Sequence, residues 1–198
     1  MPKKEKILIG MCGLGGSGKD TTIALLSKKR KCKTIQLRHI VENEIKKRGL
    51  PITNKTLRET ATELRNKYGY NIIARKSLPI VKKAFDDADI VVINSIKSLK
   101  EMEVYKKSIK GRTILLSLYA SPKTRFKRLS KRGLNWDMKD YKSFVWRDEK
   151  ELGWGFGAAF TLADYMLVNE GSMKELGIEV DKFLEELYDK GSRLGRHP

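Results

Sequence analysis

The sequence predicts an α/β fold, a five-stranded parallel sheet flanked by helices, and three observations predict it. A glycine-rich loop, Gly13-Leu14-Gly15-Gly16-Ser17-Gly18-Lys19-Asp20-Thr21, follows the apolar strand Ile7-Leu8-Ile9 and precedes a helical pattern. Strand-like and helical segments alternate from end to end, as in a parallel sheet covered on both faces. The strand-like segments are short runs of Ile, Val and Leu, the composition of strands buried on both sides.

Strands are expected at Lys6–Met11, Thr34–Leu37, Asp89–Ile93, Thr113–Tyr119 and Tyr165–Val168. The first helix is expected from Thr22 to Lys29. Ser98-Leu99-Lys100-Glu101 and Ser172-Met173-Lys174-Glu175 have the form of capping boxes. Ser121-Pro122 is an N-cap followed by proline at the first helical position. The last helix carries Leu176, Val180, Phe183, Leu184 and Leu187 on one face. Two stretches interrupt the alternation. Residues 39 to 87 hold no convincing strand, and residues 130 to 160 are similar and rich in Arg, Lys and Trp. Insertions at the C-terminal ends of parallel strands commonly build the ligand face, so these suggest an acceptor-binding insertion and a lid. The expectation is one domain over residues 1–190 and a flexible tail over 191–198.

The glycine loop carries the most specific chemistry. Its glycines let the backbone curl so that several N–H groups face one anion, and the following helix points its N-terminus at the same phosphates. Lys19 adds a mobile positive charge for the β- and γ-phosphates. Gly13, Leu14, Gly15, Gly16, Ser17, Gly18, Lys19, Asp20 and Thr21 are therefore the expected nucleotide-binding residues, with ATP as ligand and Mg²⁺ as its metal. One position is irregular: Asp20 stands where Ser or Thr usually follows the lysine.

Composition narrows the partners. The chain of 198 residues has 42 Lys and Arg against 24 Asp and Glu, a net charge of +18. That favours polyanions, whether nucleotides, coenzymes or nucleic acid. The two cysteines, Cys12 and Cys32, cannot build a disulfide framework, and Cys12 reads as a small buried hydrophobe. No apolar run approaches a membrane span, and the expected location is cytoplasmic. No Ser-His-Asp set or zinc spacing is visible.

Phosphoryl transfer requires positive charge around the migrating group and exclusion of water. Arg125, Arg128 and Arg132 are spaced to share one helix face, with Phe126 and Leu129 turned to the core, and Arg147 follows on the next helical stretch. The third strand ends in Asn94, where many phosphate-loop enzymes place an acid for Mg²⁺. Asp20 either supplies the missing carboxylate charge or only caps the helix start, where Asp is also favoured. Asp20 and Asn94 are thus the candidate metal-side residues. Trp136, Trp146 and Trp154 fall in or near the second interruption and suit aromatic packing of the lid onto the core, with stacking on a base as the alternative.

Three stretches carry a family resemblance. They are Ala120-Ser121-Pro122-x-x-Arg125-Phe126-x-Arg128-Leu129, then Arg147-Asp148-Glu149-x-Glu151-Leu152-Gly153-Trp154-Gly155, then Ala163-Asp164-Tyr165-x-x-x-Asn169-x-Gly171-Ser172. With the glycine loop, they resemble the archaeal P-loop kinases related to adenylate kinase and dephospho-CoA kinase. The loop itself is similar to that of certain deoxynucleoside-monophosphate and phosphomevalonate kinases, which also carry Asp after Lys. The resemblance implies a P-loop NTPase fold of nucleoside-monophosphate-kinase-like design, with ATP as donor and a nucleotide or coenzyme-like acceptor. It implies that Lys19, Arg128, Arg132 and Arg147 act on the phosphates, and that Asn169, Gly171 and Ser172 lie beside the adenine. It places Arg65 on the acceptor side; Lys97, which stands where the family has Arg, and Arg38 are the further candidates for the acceptor phosphate. The chain departs from the family pattern after the third strand, where Asp-Gly-Ile-Arg-Ser is replaced by Asn94-Ser95-Ile96-Lys97-Ser98. Arg38-His39 and Glu42 also replace the Gly-Asp and Arg usual after the second strand.

The expected activity is ATP-dependent phosphoryl transfer to a small phosphate acceptor, AMP or another nucleotide. Two other readings stay open: a nucleic-acid-associated ATPase or polynucleotide kinase, from the net charge, and a catalytically weak nucleotide sensor, from Asn94 and Lys97.

Overall fold

Every residue of Ile7–Cys12 is buried, which places this segment, β1, in the middle of the sheet. The computed structural model describes residues 5–133 and 140–189. The remaining strands are β2 (Cys32–Gln36), β3 (Ile90–Asn94), β4 (Arg112–Tyr119) and β5 (Tyr165–Val168). All pair in parallel, in the order β2-β3-β1-β4-β5. Each expected strand is present, within two residues of its expected ends.

The helices are α1 (Lys19–Lys29), α2 (Leu37–Lys47), α3 (Asn54–Tyr68), α4 (Ile72–Asp87), α5 (Leu99–Ser108), α6 (Pro122–Arg132), α7 (Tyr141–Glu151), α8 (Gly157–Thr161) and α9 (Met173–Tyr188). A single π turn, Leu152–Phe156, joins α7 to α8. Side chains alternate across β1 because strand residues point to opposite faces. Ile7, Ile9 and Met11 meet α1 and α9 through Ile23, Leu26, Val180, Phe183 and Leu187. Leu8 and Cys12 meet α2 to α5 through Val41, Ile45, Leu64, Val81 and Tyr105. Burial pushes the Cys12 thiol up to about 12, so it behaves as the inert hydrophobe its composition suggests. Among the described residues no helix is long and apolar enough to cross a membrane.

The register sets the site. Met11 of β1 and Gln36 of β2 both pair with Asn94 of β3, so three strands end at one level. Their following loops emerge side by side, at the carboxyl edge where open α/β sheets bind ligands.

Local signals hold with two corrections. Ser172 and Glu175 form both halves of a capping box, and Ser121 caps α6 with Pro122 at its start. Ser98 caps α5 through the Glu101 N–H, but the Glu101 carboxylate does not complete the box. It accepts instead from the Lys97 N–H at 2.8 Å and from Arg65. Helix α1 begins at Lys19 rather than Thr22, because the loop turns directly into the helix with Gly18 as N-cap. The five apolar residues expected on one face of the last helix are all buried. Trp136 and residues 191–198 lie outside the described residues.

Phe183 is fully buried between α9 and the sheet. Phe183→Ala should therefore cost about 3–5 kcal/mol, read as a lower urea midpoint at unchanged slope.

Candidate active site

The loop between β1 and α1 turns through left-handed backbone at Gly16 (φ 84°) and Gly18 (φ 99°). A side chain at Gly18 would strike the Asn169 amide nitrogen, and a Cβ at Gly15 would lie 3.0 Å from the Arg147 guanidinium. Two outside tethers hold the loop's carbonyls: Asn169 Nδ2 donates to Ser17 O at 2.8 Å, and Arg125 Nη1 donates to Gly15 O at 3.2 Å. The Ser17 hydroxyl is buried and has no hydrogen-bond partner among the described residues. Lys19 Nζ folds back onto the carbonyls of Gly13 (2.5 Å) and Leu14 (3.3 Å). Burial first, and then the charge of Lys97, pull the Lys19 pKa down to about 8, against Glu151 and Asp20. A cation held this way beside a glycine cradle suits an anionic ligand, so the loop residues Gly13 to Thr21 fit a triphosphate.

The arginines of α6 do different jobs from those their spacing suggested. Arg125 is almost fully buried and grips Asp148 of α7 with two bonds, at 3.0 and 2.6 Å, while also donating to Ala120 O. It ties α6, α7 and the phosphate loop together. Arg128 donates to Asn169 O (2.9 Å), Asn169 Oδ1 (3.3 Å) and Gly171 O (3.4 Å), so it secures the strand-to-helix loop after β5. Ser172 on that loop caps α9. Arg132 lies exposed at the end of α6.

A cavity of about 220 Å³ opens beside the loop and gathers Arg38, Arg65, Lys97 and Arg147, four residues singled out from sequence. Arg58, Lys150 and Trp154 also line it, and Val41, Leu57 and Ile73 supply apolar wall. Two carboxylates hold these cations. Glu151 meets Lys97 Nζ at 2.6 Å and Arg147 Nε at 3.5 Å. Burial alone would raise its pKa; the charges of Lys97, Arg147 and Lys19 and the bond from Lys97 prevail and hold it at about 2. Glu101 is fully buried and meets Arg65 Nη2 at 3.2 Å. Burial pushes its carboxyl up, against Arg65 and the Lys97 N–H. Arg65 also lies 4.6 Å above the Trp154 ring, and Arg38 pairs with Glu42 at 2.6 Å.

Asp20 and Asn94, separate in sequence, are hydrogen-bonded at 2.8 Å. Among the described residues no three His, Cys, Asp or Glu groups gather to hold a metal ion by themselves. Mg²⁺ at phosphate sites needs only one or two carboxylates, with phosphates and waters completing its shell.

Sequence reasoning assigned no role to Glu101, Glu151 or Ser95. Glu151 lies four residues after Arg147, a spacing that signals an ion pair on a helix. Glu101 was disguised by its place in a capping box. Ser95 lines the cavity and holds φ 74°, a left-handed conformation rare outside glycine, where the family pattern has Gly.

A model described as an AAA domain matches residues 9–145. A UPF0200 protein of Methanocaldococcus jannaschii is 35% identical over 181 residues, covering 91% of this chain and 90% of that one. A UPF0200 protein of Hyperthermus butylicus is 34% identical over 191 residues, covering 96% and 100%. The chain belongs to the UPF0200 family. The expected archaeal family is borne out by these relatives, and its P-loop fold by the match over residues 9–145 and by solved structures. TT1252 from Thermus thermophilus superposes with a TM-score of 0.64 at 21% identity, over 93% of this chain and 99% of that one. A shikimate kinase from Bacteroides thetaiotaomicron follows with a TM-score of 0.58 at 17% identity, over 91% and 98%. A gluconokinase from Sinorhizobium meliloti reaches 0.51 at 14% identity, over 95% and 98%. The UPF0200 chain therefore has the α/β P-loop NTPase fold, shared with these structures.

Two outcomes are expected. A phosphate beside Lys19 favours its protonated form, so nucleotide affinity should fall as pH rises through about 8, the ligand-free value. Calorimetry just above that pH, in buffers of different ionisation heat, should show proton uptake on binding. Glu151→Gln should cost about 1–3 kcal/mol, because Lys97 and Arg147 lose their counter-charge but keep some water. Added inorganic phosphate should then raise the melting temperature of the variant more than that of the parent.

Proposed function

We propose that this protein transfers the γ-phosphoryl group of ATP to a small phosphate-bearing acceptor, of nucleotide or coenzyme-like type, as in adenylate and dephospho-CoA kinases. The observation that carries the reading is the cationic cavity beside the phosphate loop, where Arg38, Arg65, Lys97 and Arg147 converge. Residues 39–87 serve as the acceptor-binding insertion and residues 130–160 as the lid.

Lys19 and the amides of the loop hold the β- and γ-phosphates. Arg147, which packs over Gly15, faces the same group from the other side. Arg65 and Lys97 hold the acceptor phosphate, with Arg38 at the rim. With a phosphomonoester such as AMP as acceptor, an oxygen of its phosphate attacks the γ-phosphorus, and the bond to the β–γ bridging oxygen breaks to release ADP. The attacking oxygen is already ionised, so no side chain has to remove a proton. This suits a cavity whose lining carboxylate, Glu151, is committed to two cations and held at about 2. Asp20, with Asn94 beside it, would hold Mg²⁺, which would supply neutralisation of the phosphate charge. The chain's own contribution is positioning and fixed positive charge. Arg128 supports the reaction by holding the loop from Asn169 to Ser172, which the family resemblance places beside adenine, against the phosphate loop.

Acceptor-stimulated ADP formation should appear with at least one of AMP, other nucleoside monophosphates or dephospho-CoA. Tight ATP binding without turnover in any of them would favour the sensor reading instead. Arg65→Lys should raise the acceptor KM by about tenfold or more, with ATP affinity unchanged, because Lys cannot reproduce the two-pronged geometry.

A further inference from the structure

We propose that the metal-side carboxylate of this site has moved from the end of the third strand to the phosphate loop, at Asp20, and that Asn94 is the residue that positions it. The inference rests on the ATP reading above. In P-loop NTPases the hydroxyl after the loop lysine and an Asp at a strand end hold Mg²⁺ together. Here the loop position carries the carboxylate and the strand end carries an amide.

The geometry makes these two changes one. Asn94 Nδ2 donates to Asp20 Oδ1 at 2.8 Å and to Gln36 Oε1 at 2.8 Å. An ionised carboxylate only accepts hydrogen bonds, so the atom facing Asp20 must be the amide nitrogen. An Asp at position 94 would set an acceptor oxygen against the Asp20 carboxylate, which cannot donate, whereas Gln36 could turn its amide to donate. A carboxylate on the loop therefore requires an amide on the strand. The register supplies the third member, since Gln36 is the strand partner of Asn94. Both amide hydrogens of Asn94 are thereby committed, and its side chain is buried.

Asp20 faces outward. Its Oδ1 is aimed by Asn94, while Oδ2 accepts no hydrogen bond from any described residue. Capping does not account for it: the N-cap of α1 is Gly18, no side chain caps the helix, and the Asp20 bond runs to Asn94 instead of a backbone N–H. One outward carboxylate, completed by phosphate oxygens and water, is a sufficient protein share for Mg²⁺.

The test is ATP affinity with and without Mg²⁺, read by calorimetry on the whole chain, with no turnover required. The parent should bind ATP more tightly when Mg²⁺ is present. Asp20→Asn should lose about tenfold or more of that enhancement. Metal-free ATP should bind this variant as well as the parent or better, because a negative charge beside the phosphates is gone. Asn94→Asp alone sets two carboxylates face to face and should lower the unfolding temperature. Adding Asp20→Thr to it removes the clash and should return both the stability and the Mg²⁺ enhancement. Full enhancement in Asp20→Asn, or a double variant that melts like the parent yet shows none, overturns the proposal. Absence of ATP binding with or without Mg²⁺ overturns the ATP reading and this one with it, a result distinct from lost enhancement alone.

Discussion

The ion pairs of Glu151 with Lys97 and Arg147 are the interaction on which the working end of this molecule depends. Lys19, Lys97 and Arg147 crowd into one region at the carboxyl edge of the sheet, and like charges so close would drive the elements apart. A single buried carboxylate from the end of α7 compensates them. Glu101 does the same for Arg65 on the other side of the cavity and fixes the backbone of Lys97 as well. Positive charge is thus concentrated, aimed and still short of full neutralisation, the condition under which an anionic ligand binds without rearranging its site.

The phosphate loop is held from outside by the same economy of contacts. Asn169 and Arg125 take two of its carbonyls, and each is anchored in turn, Asn169 by Arg128 and Arg125 by Asp148. Arginines that look like an open basic face in the sequence are therefore split between bracing and display. Arg125 and Arg128 brace; Arg147 and Lys97 reach the cavity. Ser95 adds local strain at the strand end that carries Lys97, which the surrounding packing must hold in place.

Much of this was legible in the chain. The strands declared themselves as short β-branched runs, and the glycine loop declared itself a phosphate-loop fold because strand, loop and helix follow in that order. Arg38, Arg65, Lys97 and Arg147, spread over more than half of the chain's 198 residues, fall together in one cavity. Other features were hidden because their signals have two meanings. Glu101 fits a capping box on the page, yet its carboxylate is drawn to a buried guanidinium, where an unpaired charge would cost far more than a lost cap. Arg125 fits a charged helix stripe until Asp148, from a different helix, meets it.

The sequence by itself determined the sheet, its burial on both faces, the phosphate loop and the stock of positive charge, because these follow from periodicity, glycine placement and composition within short windows. Only the tertiary structure decided which charges are spent and which remain. That depends on distances between residues far apart in the chain: Arg125 with Asp148, Lys97 with Glu151, Asn94 with Asp20 and Gln36. The strand register brings Met11, Gln36 and Asn94 to one level, with Asp20 on the helix that follows β1, and no local pattern encodes a register between strands separated by whole helices.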